Sequence, residues 1–278
     1  MMCAWDSYLG ILPPWMRPEV DKQGREYLQE LRLRVDRPPE LICSDGIRYL
    51  SRAIRPDDIQ FCVNTASRYS PWSAVTAAKG YITAPGGHRI GLCGDAVVEK
   101  GKMKGMRTAN MLCIRVARDY PGIAEKIPMT DQSVLIVGRP GSGKTTLLRD
   151  MIRCISKNAT VAVVDERGEL FPYAHGVSCF DTGQRTDVLT GAGKPEGIQA
   201  LLRCMGPEVI AVDEITAQQD CHALIEAGWC GVQLLATAHA SCKEDLFNRP
   251  VYRPLIRTGL FGLLITLQPD KSWKCEKI

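Results

Sequence analysis

The sequence predicts an α/β fold, a mainly parallel sheet preceded by a smaller α+β domain, and three observations predict it. From Asp131 onward, short apolar runs alternate with helical patterns. A glycine-rich octapeptide stands where the first of those runs gives way to a helix. The first 120 or so residues carry a different pattern, with period-two stretches and paired glycines. At 278 residues the chain has room for two ordinary domains.

Composition closes several routes. Apolar residues make up 45% and charged residues 24%, which excludes a disordered chain. Lys plus Arg is 35 against 31 acidic residues, a formal charge of +4, too small an excess to indicate a nucleic-acid partner. No run approaches the roughly 18 to 20 apolar residues of a spanning helix, and the densest late one, Leu260 to Leu267, is strand length. The N-terminal MMCAWDSYLGILPPW has no basic region followed by a long apolar one, so no secretory signal is expected. Twelve cysteines occur without any C-x-x-C, and the four histidines are scattered. The thiols are therefore expected reduced in a cytoplasmic setting, with no zinc site built from them.

The elements follow in order. A helix is expected over about Lys22 to Leu31, with ELRLRV running into the Pro38-Pro39 break. A second helix follows Pro56, with Asp57 and Asp58 in its first turn. YITAPGGHRIGLCGDAVV reads as a hairpin broken at Gly86-Gly87, and MLCIRVAR as a further strand. DYPGIAEKIPMTDQ is the expected connection, which places an α+β domain at 1–122 and the α/β domain at 123–278. In the latter, SVLIV (133–137), TVAVV (160–164), EVIAV (208–212), VQLLAT (232–237) and LLITL (263–267) are strands buried on both faces. Leu147, Leu148, Met151, Ile152 and Ile155 recur at helical spacing between the first two.

Chemistry enters at the octapeptide. Gly138, Arg139, Pro140, Gly141, Ser142, Gly143, Lys144 and Thr145 fit G-x-x-x-x-G-K-[ST], with a strand before and a helix after, as the motif requires. Glycines let successive N–H groups face phosphate oxygens, and the start of the helix adds free amides and a positive dipole end. The stretch through Thr146 is thus a nucleotide cradle, with Lys144 for the β and γ phosphates and the Thr145 hydroxyl for Mg²⁺. The domain is in that sense RecA-like, and its expected ligands are ATP and Mg²⁺. Asp213 and Glu214, ending the third apolar run, are a metal-binding carboxylate and a base for the attacking water. Thr237 and His239 end the next run on one face, in the place of a polar sensor. Asp165 and Glu166 end the second run at the same sheet edge, where α/β sheets bind ligands, and their carboxylates are expected to position water or support Mg²⁺.

In order, these four motifs resemble the secretion ATPases of type II and type IV systems. More closely, LQELRLRV with its proline pair, YITAPGGHRIGLCGDAVV, VVDERGEL, GQRTDVL, VIAVDEI and LLATAHA look like the stage III sporulation protein AA family, a resemblance that spans about residues 10 to 267. That resemblance implies a cytoplasmic ATPase on the mother-cell side, peripheral to a membrane. It would energise a channel complex of sporulation membrane proteins as a hexameric homo-oligomer with nucleotide at the subunit interface. It also implies an arginine at the phosphates, for which Arg89 in GGHRIG and Arg185 in GQRTDVL are the candidates. The chain departs from the secretion motors in carrying Asp213 before Glu214 and the order Asp-Glu at 165–166. Two other classes share the core. A nucleic-acid-dependent ATPase would need a basic track, and VEKGKMKGMR, with Lys100, Lys102, Lys104 and Arg107 but no interleaved aromatics, reads instead as a solvated hairpin. A nucleotide-gated scaffold with little turnover would keep the cradle and dispense with the base.

Overall fold

The computed structural model describes residues 1–67, 80–128, 131–174, 176–268 and 270–278. The chain divides into two compact units, one of Met1–Asp119 with Pro172–Cys179, the other of Tyr120–Phe171 with Phe180–Ile278. The chain therefore passes between units three times, first within the segment read as the connection.

In the first unit, six strands form an antiparallel sheet: β1 (Leu28–Arg34), β2 (Glu40–Cys43), β3 (Gly46–Tyr49), β4 (Tyr81–Thr83), β5 (Arg89–Glu99) and β6 (Lys102–Arg115), in the order β3-β2-β1-β6-β5-β4. Helices Trp5–Ile11 and Pro56–Ser67 bury Tyr8, Ile11, Ile59 and Cys62 in one core with Leu31, Leu33, Leu112 and Ile114. The helix after Pro56 is as expected, and so is the hairpin, whose turn at Pro85–Gly87 has Gly86 at φ +78. A Cβ on Gly86 would lie 2.5 Å from that of Ala4, so the turn needs glycine for space as well as for backbone angle. Lys100 and Gly101, both at positive φ, close β5 onto β6 in the manner of a type I′ hairpin turn.

The expected helix over Lys22 to Leu31 is corrected. The helix there is Arg17–Asp21, Gly24 turns the chain at φ +80, and Leu28–Arg34 is a strand. Glu30, Arg32 and Arg34 are good helix formers, but Leu31 and Leu33 alternate onto the core while β1 hydrogen-bonds to β2 on one edge and β6 on the other. Satisfying both edges and burying that alternation outweighs intrinsic propensities worth tenths of a kcal/mol per residue.

The second unit holds β7 (Ser133–Val137), β8 (Val161–Asp165), β11 (Thr186–Thr190), β12 (Val209–Ile215), β13 (Gln233–Ala238), β14 (Phe261–Leu267) and β15 (Trp273–Lys277), while β9 (Tyr173–Ala174) and β10 (Val177–Ser178) form a small hairpin in the first. The order is β11-β8-β12-β13-β7-β14-β15, parallel throughout except for β15 on β14. Each apolar run from Ser133 onward became a strand, and β13 lies between β12 and β7. The edge strands β11 and β15 were not expected. Leu135, Val137, Ala162, Val164, Ile210, Val212, Leu234 and Ala236 share a core with Ile198, Leu201, Leu224 and Leu255 from the helices that follow. The helix Lys144–Ile155 buries Leu147, Leu148, Met151 and Ile152 and packs on β7, β12 and β13. All the parallel strands end at one edge of the sheet, and the loops there carry the candidate site. All twelve cysteines are free thiols, and among the described residues no helix is long and apolar enough to cross a membrane.

The first unit buries a neutral histidine, His88. His88 Nδ1 accepts the Ala117 N–H at 3.1 Å, and its Nε2 donates to the Ala4 carbonyl at 2.9 Å, so the ring is neutral. Burial pushes its pKa down to about 4. A depressed histidine leaves stability intact above the unfolded value of about 6.5 and costs about 3 kcal/mol by the time pH has fallen through 4. Titration by NMR is expected to place the His88 midpoint near 4, with stability falling across that window; a midpoint near 6.5 would contradict the buried neutral ring.

Candidate functional site

The phosphate loop is built by its glycines. Gly141 and Gly143 take φ of +76 and +102, angles that side chains resist, and nothing lies within 4 Å of where a Cβ on either would stand. Gly138 is required for a different reason, since a Cβ there would meet Ser142 Oγ at 2.5 Å. Arg139, Pro140 and Gly141 are exposed, Thr145 and Thr146 half-buried, and the helix begins at Lys144. Ser142 Oγ is buried with no hydrogen-bond partner, a polar group inside the loop that awaits one.

Lys144 is folded onto its own loop. Its Nζ donates to the carbonyls of Gly138 and Arg139, each at 3.0 Å, and to His239 Nδ1 at 3.1 Å. Burial lowers its pKa, opposed by the charges of Asp213 and Glu214. With Nδ1 an acceptor, the proton of His239 sits on Nε2, which donates to Glu214 Oε1. His239 thus links the phosphate-loop lysine to the carboxylate at the end of β12.

Asp213 is the hub. Thr145 donates to its Oδ2 at 2.7 Å and Thr237 to its Oδ1 at 2.5 Å, while Thr237 Oγ1 accepts the Glu214 N–H at 2.7 Å. The backbone of Glu214 is left-handed at φ +57, and the β12–β13 ladder is irregular between Val212 and Ile215. An ordinary residue held in that region stores strain, and here the hydrogen bond from its own amide to a buried threonine holds it there. Burial draws the Glu214 carboxyl upward, but the His239 hydrogen bond and the charges of Arg167 and Lys144 together hold it below its ordinary value.

The second acidic motif lines a small pocket with Asp213 and Glu214. The Asp165 carboxylate is buried and accepts the amides of Glu169, Leu170 and Phe171 at 2.9, 3.0 and 2.9 Å, so it shapes the loop after β8 from within. Burial raises its pKa to about 6, against the amides that favour its charge. Glu166 pairs at 2.8 Å with the buried Lys194. The Asp165 carboxylate and one oxygen of Glu166 are thus engaged by protein partners.

The two arginine candidates lie on different units, Arg185 on the second and Arg89 on the first. Arg185 precedes β11 and binds the Asn158 carbonyl at 2.9 Å and Glu208 at 3.3 Å, at the starting edge of the parallel sheet, opposite the phosphate loop. Arg89 belongs to the first unit, with its guanidinium 4.3 Å from the centre of the Tyr81 ring. The structure instead brings an arginine that sequence reasoning passed over, Arg167, onto Glu214 Oε2 at 2.6 Å. Its signal was its place, two residues past Asp165 in the same loop.

A glycine-rich loop after β7, a carboxylate near the end of β12 and the Thr237 and His239 pair at the end of the intervening β13 thus stand together at one edge of a mainly parallel α/β sheet. The chain belongs to the family described as sporulation stage III, protein AA, whose model matches residues 16–275. It is 38% identical over 277 residues to the stage III sporulation protein AA of Bacillus subtilis, covering 94% of this chain and 90% of that one. Among solved structures it is similar to the pilus retraction motor PilT with bound ADP, with a TM-score of 0.63 and 14% identity over 94% of this chain and 81% of that one. It is also similar to the ATPase DotB of Legionella pneumophila, with a TM-score of 0.56 and 16% identity over 95% of this chain and 79% of that one. Likeness at that identity shows a shared fold.

Thr237 bridges two catalytic candidates from a fully buried position. Thr237→Val leaves the Asp213 oxygen and the Glu214 amide without a partner and is expected to lower stability by about 1–3 kcal/mol. Thr237→Ser, which keeps the hydroxyl, should recover most of it. Denaturant unfolding checks this, and equal stability of the valine and parent proteins would contradict the bridge.

Proposed function

We propose that this chain binds ATP with Mg²⁺ and hydrolyses it, and that it does so as a homo-oligomer, a hexamer, at a membrane channel complex of sporulation. One observation carries the nucleotide reading: the phosphate-loop hydroxyl of Thr145 is hydrogen-bonded to the sheet-end carboxylate of Asp213. A hydroxyl and a carboxylate held together beside a glycine cradle are the hard oxygen donors that Mg²⁺ takes, and the orphaned Ser142 hydroxyl adds a further polar group for the bound ligand. The residues present fit the ion. Thr145 and Asp213 would hold it, and it supplies neutralisation of phosphate charge when bound.

The chain's own groups do the rest. Amides of the loop and of the first helical turn receive the phosphate oxygens. Lys144 exchanges its loop carbonyls for the β and γ phosphates, which cost it less desolvation than an unpaired ammonium would. His239, losing Lys144 as a donor, keeps Glu214 in place through Nε2. Glu214 accepts the proton of the attacking water, and its strained backbone sets the direction in which the carboxylate points. Asp165 maintains the adjoining loop and takes no part in proton transfer.

The hexameric assembly and the channel partner are read from the family resemblance and from the PilT and DotB fold. Nucleic acid is not a partner in this reading. The cationic residues Lys100, Lys104 and Arg107 lie exposed on the β5–β6 hairpin, and Arg107 is paired with Asp95 at 3.4 Å.

Lys144→Ala is expected to abolish ATP binding. Glu214→Gln is expected to keep binding and to lower hydrolysis by on the order of 100-fold or more, because it removes the base and leaves the cradle. Calorimetric binding and phosphate release check the pair; parental hydrolysis in Glu214→Gln overturns the assignment of the base. Size-exclusion light scattering should show a hexamer when ATP is present, and a monomer with bound ATP would contradict the assembly.

A further inference from the structure

The loop after β8 places an underused cation beside the base. Arg167 carries five N–H donors, and among the described residues its guanidinium has one partner, Glu214 Oε2, at 2.6 Å. Its side chain is 46% exposed and that of Glu214 26%, so the pair is partly open to solvent. Arg167 and Glu214 also line a cavity of about 10 Å³ with Glu166, Asp213 and Lys194, about the size of one water. Glu214 is meanwhile held at both oxygens, by His239 on Oε1 and Arg167 on Oε2. A base in that state presents no oxygen to water that is free of a donor.

The rest of the loop is fixed. Asp165 binds three of its amides, Glu166 is tied to Lys194, and the buried Arg149 donates to the carbonyls of Glu169 at 2.9 Å and Leu170 at 2.6 Å. Arg167 therefore stands on a fixed base with its guanidinium partly exposed. A phosphoryl group bearing close to two charges and three oxygens competes for a planar, five-donor guanidinium better than one carboxylate oxygen does.

We propose that Arg167 is a catalytic residue acting in cis, which releases Glu214 and takes the terminal phosphate when ATP occupies the loop. This rests on the ATP-hydrolysing reading of the site. In the step, the oxygen of water bonds to the γ phosphorus and its proton passes to Glu214. The bond from that phosphorus to the β–γ bridging oxygen breaks, and the oxygen leaves with ADP. Arg167 donates to the oxygens of the transferring group throughout, and one exchange frees the base and places a cation where charge gathers. Neither Arg89 nor Arg185 is then required within a single copy.

The test compares binding of ADP and of the non-hydrolysable β,γ-imido analogue of ATP by calorimetry, with ATP turnover alongside. Arg167→Ala is expected to bind the imido analogue about tenfold more weakly and ADP within twofold of the parent, with turnover down on the order of 100-fold. Arg167→Lys, which keeps a charge without the fork, falls between, and its thermal melt controls for folding. Glu214→Gln, whose neutral amide holds the guanidinium less strongly, should bind the analogue more tightly than the parent. An unchanged ratio of analogue to ADP affinity in Arg167→Ala overturns the proposal, as does faster turnover, which would make Arg167 only a restraint on the base. A parent protein that binds neither nucleotide overturns the functional reading itself, whereas one that binds both with the ratio unmoved by Arg167→Ala overturns this inference alone.

Discussion

Asp213 accepts hydroxyls from both sides, Thr145 at the start of the phosphate-loop helix and Thr237 on β13. Those two hydrogen bonds join three elements that are far apart in sequence. They fix the spacing between the glycine-rich loop and a sheet-end carboxylate, the spacing that the proposed Mg²⁺ site would need held to a few tenths of an ångström. Because Thr237 is buried and also receives the Glu214 amide, the same threonine sets the turn in which Glu214 stands. The site is organised from beneath by Thr237, which is fully buried.

Strand order makes this possible. With β13 between β12 and β7, its terminal Thr237 and His239 lie between the acidic end of β12 and the phosphate loop that follows β7. From there Thr237 reaches the Asp213 carboxylate and the Glu214 amide, and His239 reaches both Lys144 and Glu214. A neutral histidine with one donor and one acceptor suits a link between an ammonium and a carboxylate, since its two ring nitrogens satisfy both at once. The loop after β8 has a second consequence. It ends at Phe171, where the chain leaves for the hairpin at 172–179 in the first unit, and returns at Phe180. Both phenylalanines are buried, and Arg149 stacks on Phe180 at 4.3 Å, so the loop that bears Arg167 is anchored where the chain departs and where it re-enters.

Much of this was legible in the amino-acid order because parallel strands announce themselves. The runs at 133–137, 160–164, 208–212, 232–237 and 263–267 are continuous and apolar, since both faces of each strand are covered, and the octapeptide is constrained by backbone angles that only glycine adopts freely. The carboxylates at 213 and 214 could be found because they end such a run. The helix expected at 22–31 failed for the opposite reason: Leu28–Arg34 draws its state from partners β2 and β6, which no local window contains. The edge strand β11 is half-buried and polar, and β15 is short and mixed, so neither has a strong period. Asp165 was expected to act on water or metal, and the three amides it accepts come from loop geometry that composition does not encode. Arg167 was passed over because its role depends on a through-space meeting with Glu214, 47 residues away.

The most direct measurement is a crystal structure of the protein grown with the β,γ-imido analogue of ATP and Mn²⁺ in place of Mg²⁺. The account predicts an anomalous peak bonded to Thr145 Oγ1 and beside the Asp213 carboxylate, with the phosphates against the amides of residues 141 to 145. Phosphates lodged away from that loop, or no bound nucleotide at millimolar concentration, would contradict it.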